Sequence, residues 1–460
     1  MSAAASPWKP CDLRGLYPEA LCEHLMRRVG AAIGSEMAPG ERMVVGGDIR
    51  GSTPALKSAL SEGLVSVGID VIDCGQAPTP LLYFHLAQSG ADGVCIVTAS
   101  HNPAAYNGLK WMVRGVPPSP GDIERIRAAA EAGRRRSGCG SVVTADPAPA
   151  YRSWMESRWR KLDGSAFGPL IIDAGNGAWS RLAPEILRKL GFDVRCLYCE
   201  EDGRFPNRAP DCARTANLAA LRAAVVESGG RLGVAWDGDG DRAAFVDETG
   251  AHVSTDAIST LFARRALAGA APGEAVVCDI KLSDVVRREI AHLGGSGVLE
   301  RSGHAFMRTR LLAERALLGL DACGHYFFRE AGSRDDGLYS ALYLIELLGP
   351  RGSLADMRRT VGPLYGTPEL RIPAAVLDYG AVIGRLRAAF PGADELSIDG
   401  VRLNLEDRIV LARESSTEPV VSLRIEASDD GGCRDTVARC LAALHEARVL
   451  LERQIAEAAP

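Results

Sequence analysis

No apolar run in this sequence reaches the ~18 residues that a membrane-spanning helix needs, so no membrane partner is expected. The opening stretch MSAAASPWKP lacks a basic segment followed by an apolar one, and no secretory leader is expected. There is no excess of charge of either sign. Lys plus Arg is 53 and Asp plus Glu is 58, a formal net charge of −5, which gives no long-range pull on nucleic acid or anionic membranes. Cysteine is present twelve times, but not at zinc spacing. Cys196 and Cys199 form a single CxxC with no second pair, so spacing alone assigns them neither a metal nor a redox role. Cys95 and Cys278 fall inside apolar strand-like runs, the pattern of reduced, buried thiols in a cytoplasmic protein. The GxSxG frame of a nucleophile elbow is also missing.

What is present is ordinary globular composition, 47% apolar and 24% charged, over 460 residues. At ~150 residues per domain that length suggests about three domains. Short apolar runs alternate with helical patterns. Strands are expected at Met43 to Gly46, Asp70 to Asp73 and Gly93 to Thr98, with helices at Thr53 to Val67 and Pro80 to Gln88. The charged, then Gly- and Pro-rich stretch from Arg134 to Ala150 breaks the pattern. It restarts with strands at Leu170 to Asp173, Arg231 to Trp236 and Ala243 to Val246. A third cycle has a helix at Thr255 to Leu267, a strand at Ala275 to Asp279 and a helix at Gly337 to Leu348. From Leu370 strands dominate (Val401 to Leu405, Ile409 to Ala412, Val420 to Ala427) before one long helix from Asp435. The expectation is three similar α/β domains, 1–148, 149–253 and 254–367, and a smaller α+β domain, 368–460.

Four loops carry the chemistry. Asp237-Gly238-Asp239-Gly240-Asp241-Arg242 follows a strand directly, and three carboxylates at alternate positions can converge on one hard cation. A calcium EF-hand is the sharper rival, with Glu248 at its twelfth position, but Arg242 stands where that loop needs glycine. Thr98-Ala99-Ser100-His101-Asn102-Pro103 closes an apolar strand, with Asn107-Gly108-Leu109-Lys110 just beyond; a serine there is placed for ligand chemistry. Arg413-Glu414-Ser415-Ser416-Thr417-Glu418-Pro419 offers a guanidinium, three hydroxyls and loop amides, a phosphate cradle or a hydroxyl-rich turn. Leu320-Asp321-Ala322-Cys323-Gly324-His325 sets a carboxylate and an imidazole among glycines, to grip sugar hydroxyls or simply to pack.

Together these loops resemble the α-D-phosphohexomutase family along nearly the whole chain. Cys11-Asp12-Leu13-Arg14-Gly15 is similar to its opening Tyr-Asp-Ile-Arg-Gly, and Asp279-Ile280-Lys281 and Ser302-Gly303-His304 to further site segments. The resemblance implies that Ser100 carries a phosphoryl group and that Asp237, Asp239 and Asp241 hold one Mg2+ with it. It implies that Arg413, Ser415, Ser416 and Thr417 bind the non-reacting phosphate. Lys281, Asp321, Cys323 and His325 would meet the sugar. Arg14, Lys110 and Arg242 would stabilise charge, and His325, His304 or Lys110 would act as general base. The implied activity moves a phosphoryl group between the 1- and 6-positions of a hexose phosphate, through a sugar bisphosphate that also serves as activator. The implied architecture surrounds a central cleft, in a cytoplasmic monomer or weak homodimer. The chain departs from the family pattern at Gly47, Leu320, Asp321, Cys323 and Ser416. Those departures keep open a modified sugar or cyclitol phosphate as substrate and a non-catalytic phosphosugar binder; a phosphate-monoester hydrolase is a further rival, since a phosphoserine exposed to water would leak.

Overall fold

The computed structural model describes residues 6–363, 365–414 and 419–457, which form four sheets flanked by helices. The first sheet runs in the order Leu13–Leu16, Tyr106–Val113, Gly93–Val97, Arg42–Gly47, Asp70–Gln76, Val142–Thr144. Its central strands read as continuous apolar runs because helices cover both faces, and Met43, Val44, Val45, Val94, Cys95 and Ile96 are all fully buried. The second sheet is ordered His252–Val253, Ala243–Asp247, Leu232–Trp236, Pro169–Asp173, Asp193–Leu197. The third is ordered Ser296–Glu300, Ala275–Asp279, Leu318–Leu320, Tyr326–Phe328, Arg334–Asp335.

These three sheets share a design. Each has a parallel set whose last strand turns back into an antiparallel partner: Gly93–Val97 into Tyr106–Val113, Leu232–Trp236 into Ala243–Asp247, and Leu318–Leu320 into Tyr326–Phe328. The serine loop, the aspartate loop and the Asp321 loop are those three turn-backs. Three chemically different loops thus occupy one topological position, at the carboxyl end of a parallel strand, where α/β sheets bind ligands.

The fourth sheet is antiparallel throughout, and Val420–Ala427 lies between Tyr365–Gly366 on one side and Arg408–Glu414 on the other. Tyr365–Gly366 lies just before residue 368 and already pairs with this sheet. Residues Leu370 to Leu451 pack into a core of their own, while buried residues from the first three sheets merge into a shared cluster around Trp179, Trp236, Phe262 and Tyr339. The fourth unit is attached to the third by polar contacts. Arg402 donates to Asp284 at 2.8 Å, and Ser283 Oγ donates to Glu426 at 3.0 Å.

The helices Thr255–Leu267 and Gly337–Leu348 and the strands Ala275–Asp279 and Val420–Ala427 have the expected bounds. The single long helix from Asp435 is a correction: the chain forms Asp430–Ala443, a short 3-10 turn at His445–Ala447, and then Arg448–Glu457. The Asp429 carboxylate accepts from Gly432 N and starts the first helix early, despite the two glycines in its opening turn. Cys95 and Cys278 are buried as expected, but Cys139 and Cys196 are exposed, and all twelve cysteines are unpaired.

Candidate active site

Ser100 sits in the first turn-back with φ +50°, a left-handed conformation uncommon for a residue with a side chain. Its surroundings hold it there. Its amide donates to Thr98 Oγ1 at 2.8 Å, and the Thr98 hydroxyl donates to Asp48 at 2.7 Å. Arg50, fully buried, pairs with Asp48 at 2.9 Å and donates to the backbone carbonyls of Ser100 at 2.8 Å, Asn102 at 2.6 Å and Pro103 at 2.6 Å. One guanidinium therefore ties down most of the serine loop. Arg14 approaches from the first strand, donating to the Asn102 side chain at 2.9 Å and to Asp12 at 2.8 Å.

The aspartate loop lies directly against it. The Ser100 hydroxyl donates to Asp237 Oδ2 at 2.8 Å. A Cβ added at Gly238 would lie 2.6 Å from the Ser100 carbonyl oxygen, so only glycine permits this approach. Asp237, Asp239 and Asp241 are buried, with one oxygen from each within 4.8 Å of the others. Lys110 Nζ bridges two of them, at 2.8 Å from Asp239 and 2.6 Å from Asp241, and Thr79 Oγ1 donates to Asp239 at 2.7 Å. Among the described residues Asp239 Oδ1 and Asp241 Oδ1 have no hydrogen-bond partner, though His325 Nδ1 lies 3.6 Å from Asp241 Oδ1. Two orphaned, buried carboxylate oxygens beside a serine hydroxyl form a donor set for a hard divalent cation, so the residues present fit one. Glu248 takes no part: it accepts from Ala355 N at 3.3 Å in the third unit, which removes the EF-hand reading.

Burial, with Asp239 and Asp241 alongside, pushes Asp237 well above the usual carboxylate range. Burial works the same way on Asp239, but Lys110 overrides it and holds that carboxyl well below. Burial opposes the charge of Lys110, and Asp239 and Asp241 overcome that and hold its proton firmly.

The third turn-back meets the second at an isolated bridge between Arg242 and His325. Arg242 Nε donates to His325 Nε2 at 2.8 Å, and His325 Nδ1 lies 2.8 Å from Asp335. That pattern fits a neutral ring with its proton on Nδ1, directed at Asp335. Burial disfavours the charged ring, but Asp241 and Asp335 outweigh it and raise its proton affinity. His304 packs near it, ring centroids 6.4 Å apart, and burial, aided by Lys110, lowers its pKa to about 3. Asp321 Oδ1 accepts from the amide of Cys323 at 2.5 Å, which folds the carboxylate onto its own loop. Lys281 Nζ reaches Cys323 Sγ at 3.5 Å and lies 3.9 Å from Asp279. Arg413 donates to Asp399 at 2.6 Å, and the same carboxylate oxygen accepts from Ser302 N at 3.2 Å. Ser415, Ser416 and Thr417 lie outside the described residues.

The structure thus gathers Arg14, Ser100, Lys110, the three aspartates, Arg242, His304 and His325 into one connected cluster, with Lys281, Asp321 and Cys323 beside it. Sequence reading missed Asp48, Arg50, Thr79 and Asp335. The available signal was position: Asp48 and Arg50 follow the carboxyl end of the parallel strand Arg42–Gly47.

Family models for phosphoglucomutase/phosphomannomutase α/β/α domains I, II and III match residues 9–137, 156–250 and 254–363. The chain belongs to the phosphoglucomutase/phosphomannomutase family. It is 35% identical over 445 residues to a phosphomannomutase/phosphoglucomutase of Pseudomonas aeruginosa, covering 94% of this chain and 95% of that protein. It is 34% identical to a phosphoglucomutase of Neisseria gonorrhoeae, covering 91% and 92%. A crystal structure of a family member from Burkholderia thailandensis superposes with a TM-score of 0.86 at 34% identity, covering 95% of this chain and 97% of that one. These relatives show a phosphohexomutase, an intramolecular phosphotransferase built of three α/β domains with mixed sheets.

Proposed function

We propose that the chain moves a phosphoryl group between the 1- and 6-positions of mannose or glucose phosphate, with Ser100 as the phosphoryl carrier. The observation that carries this reading is the Ser100 hydroxyl 2.8 Å from Asp237, in one buried cluster with Lys110. A pure binding protein needs neither a buried serine held by a carboxylate nor two further carboxylates with unsatisfied oxygens beside it.

Ser100, Asp237, Asp239 and Asp241 would hold Mg2+, which neutralises charge on a transferring phosphoryl group when bound. Arg14 and Arg242 point positive charge at the same place, and phosphoryl transfer needs mainly such positioning and charge stabilisation. As the P–O bond to Ser100 breaks and one to the sugar hydroxyl forms, that hydroxyl's proton needs an acceptor. His325, once Arg242 lets go of its Nε2, is favoured over Lys110, whose proton is held by two carboxylates, and over His304, whose pKa of about 3 makes it a poor base. The sugar bisphosphate then turns round and returns its other phosphate to Ser100, and a trace of bisphosphate keeps Ser100 loaded. Lys281, Asp321 and Cys323 face the sugar, and Arg413 with Ser415, Ser416 and Thr417 holds the non-reacting phosphate. The separate core of the fourth unit and its polar seam suit a hinge that lets this cradle close over ligand. The unit boundaries 148, 253 and 367, a cytoplasmic location and a monomeric or weakly dimeric state complete the proposal.

The test is incubation of magnesium-treated protein with hexose 1- and 6-phosphates and a trace of bisphosphate. Isomer supports a mutase; free phosphate would mean a hydrolase, and no change a binder. Conversion of a cyclitol or modified-sugar phosphate alone would shift the substrate, a reading favoured by the folded-back Asp321 and by Cys323.

A further inference from the structure

The CxxC that spacing could not interpret lies at the edge of the second sheet. Cys196 is the exposed penultimate residue of the edge strand Asp193–Leu197, and Cys199 follows it, half-buried. Tyr198 between them adopts φ +53°, which bends the chain sharply. Cys199 Sγ donates to the Leu197 carbonyl at 3.5 Å, and burial, with Cys196 alongside, pushes its thiol pKa up. Arg188, from the helix Leu182–Lys189, donates to Cys196 Sγ at 3.3 Å, a charge-complementary contact for a sulfur that passes through an anionic form during exchange. Arg188, Cys196, Tyr198 and Cys199 line an open cavity of about 840 Å3, so a reagent larger than water can reach the sulfurs.

The same four residues of chain are wired to the aspartate loop. The Leu197 carbonyl accepts from Ala174 N at 3.2 Å, and the Tyr198 carbonyl from Asn176 N at 2.8 Å. The turn that starts at Ala174 carries two further contacts: Ala178 N donates to the Gly238 carbonyl at 3.0 Å and Trp179 Nε1 to the Gly240 carbonyl at 2.8 Å. Gly238 and Gly240 separate the three aspartates. One short turn therefore rests on the CxxC at one end and supports the aspartate loop at the other.

We propose that Cys196 and Cys199 form a reversible dithiol–disulfide switch whose oxidation shifts the aspartate loop through the turn at residues 174–179. The oxidant is a small or protein disulfide. The Cys196 thiolate attacks one of its sulfurs, an S–S bond forms at Cys196, and the other half leaves as thiolate. Cys199 then gives up its proton and attacks Cys196 Sγ, releasing the second half, so two electrons and two protons pass to the oxidant. Covalent bonding fixes the sulfurs at about 2 Å, closer than any non-bonded contact between them. The carbonyls of Leu197 and Tyr198 lie within that contracting segment, so the turn must follow or lose its hydrogen bonds.

The loss of rate rests on the mutase reading; the linkage and the loop shift do not. The full chain is equilibrated in reduced and oxidised glutathione, alkylated and digested, and the tryptic peptide 196–204, which holds both cysteines, is weighed. The expected result is an internal disulfide in that peptide, ~2 Da lighter and reversed by dithiothreitol, with faster amide exchange at 174–179 and 237–242 in the oxidised protein. Mutase rate falls about ten-fold or more on oxidation, the scale that small misplacements of reacting groups produce. Cys199→Ser keeps the reduced rate, accumulates a mixed disulfide at Cys196, and its rate does not respond to the oxidant. Absence of the linkage while exposed Cys139 reacts with the same reagent overturns the switch. Complete linkage with unchanged amide exchange overturns the coupling. A reduced protein inactive on every hexose phosphate sinks only the mutase reading, since linkage and exchange still report on the switch.

Discussion

Arg50 donates to the carbonyl oxygen of Ser100 at 2.8 Å, and neither residue is exposed by more than 1%. The reactive hydroxyl is thus positioned from behind, through its own backbone, by a residue that touches no ligand. The left-handed turn at Ser100 costs about 1–3 kcal/mol, and this clamp sustains it.

Arg50→Met leaves Asp48 charged and buried without its partner. Breaking such a pair costs about 3–5 kcal/mol, so the urea midpoint falls steeply. Arg50→Lys restores the charge but not the fork that spans several carbonyls. It recovers stability more than turnover, as denaturation and initial rates measured side by side will show. Full turnover in Arg50→Lys would sink the positioning role.

Asp239→Asn removes one carboxylate from the cation set and one of the two partners of Lys110. The fold survives, because Asp241 still pairs with Lys110 at 2.6 Å, while magnesium-dependent turnover is lost. Intact-mass measurement of the parent protein shows a fraction heavier by one phosphoryl group, ~80 Da, that Ser100→Ala lacks. Undiminished activity in excess chelator is the result that would remove the metal.

His304 supplies a pH signature. Its folded pKa of about 3 lies below the ~6.5 of an exposed imidazole, so between those values the unfolded chain binds the extra proton. Its contribution is therefore a stability that is lost as pH falls from ~6.5 towards 3. His304→Gln flattens that slope, read as the difference in unfolding free energy between the two proteins at pH 7, 5 and 4. Parallel curves would place the ring in water.

Asp321 bonds its own loop, and Cys323 offers Lys281 only a sulfur, so the grip on adjacent sugar hydroxyls is loose. The parent protein is expected to discriminate weakly between glucose and mannose phosphates. Asp321→Glu with Cys323→Ser should raise kcat/KM for a common hexose 1-phosphate about ten-fold, the value of re-pairing one polar group at ~1–3 kcal/mol. An efficient parent enzyme that the double change worsens would show that neighbouring residues compensate.

The loops announced themselves in sequence because each packs its chemistry into five or six consecutive residues. Elements with clear periods and clear ends did so too: Ser254 caps Thr255–Leu267, and Asp336 caps Gly337–Leu348. The C-terminal helix did not, because its Gly-Gly opening resembles a turn and its cap outweighs that cost. Thr79 and Asp335 were invisible for a different reason. Each acts on a residue brought near only by tertiary structure: Thr79 meets Asp239 across 160 positions, and Asp335 meets His325 across a strand pairing. The resemblance of the loops to a family named the chemistry; it said nothing of what holds Ser100 in place.

On the proposal that Arg413 takes a phosphate, the arriving anion would not find an empty seat. Asp399 already occupies that guanidinium and at the same time grips the amide of Ser302 in the neighbouring unit. Occupancy of the site is therefore an exchange of one anion for another, and only the difference between two similar attractions is realised as affinity. The exchange would also free Asp399, and with it one of several polar contacts that join the fourth unit to the third. A bisphosphate that had to let go, turn over and be caught again, as proposed above, would be better served by such a replaceable hold than by a tight one.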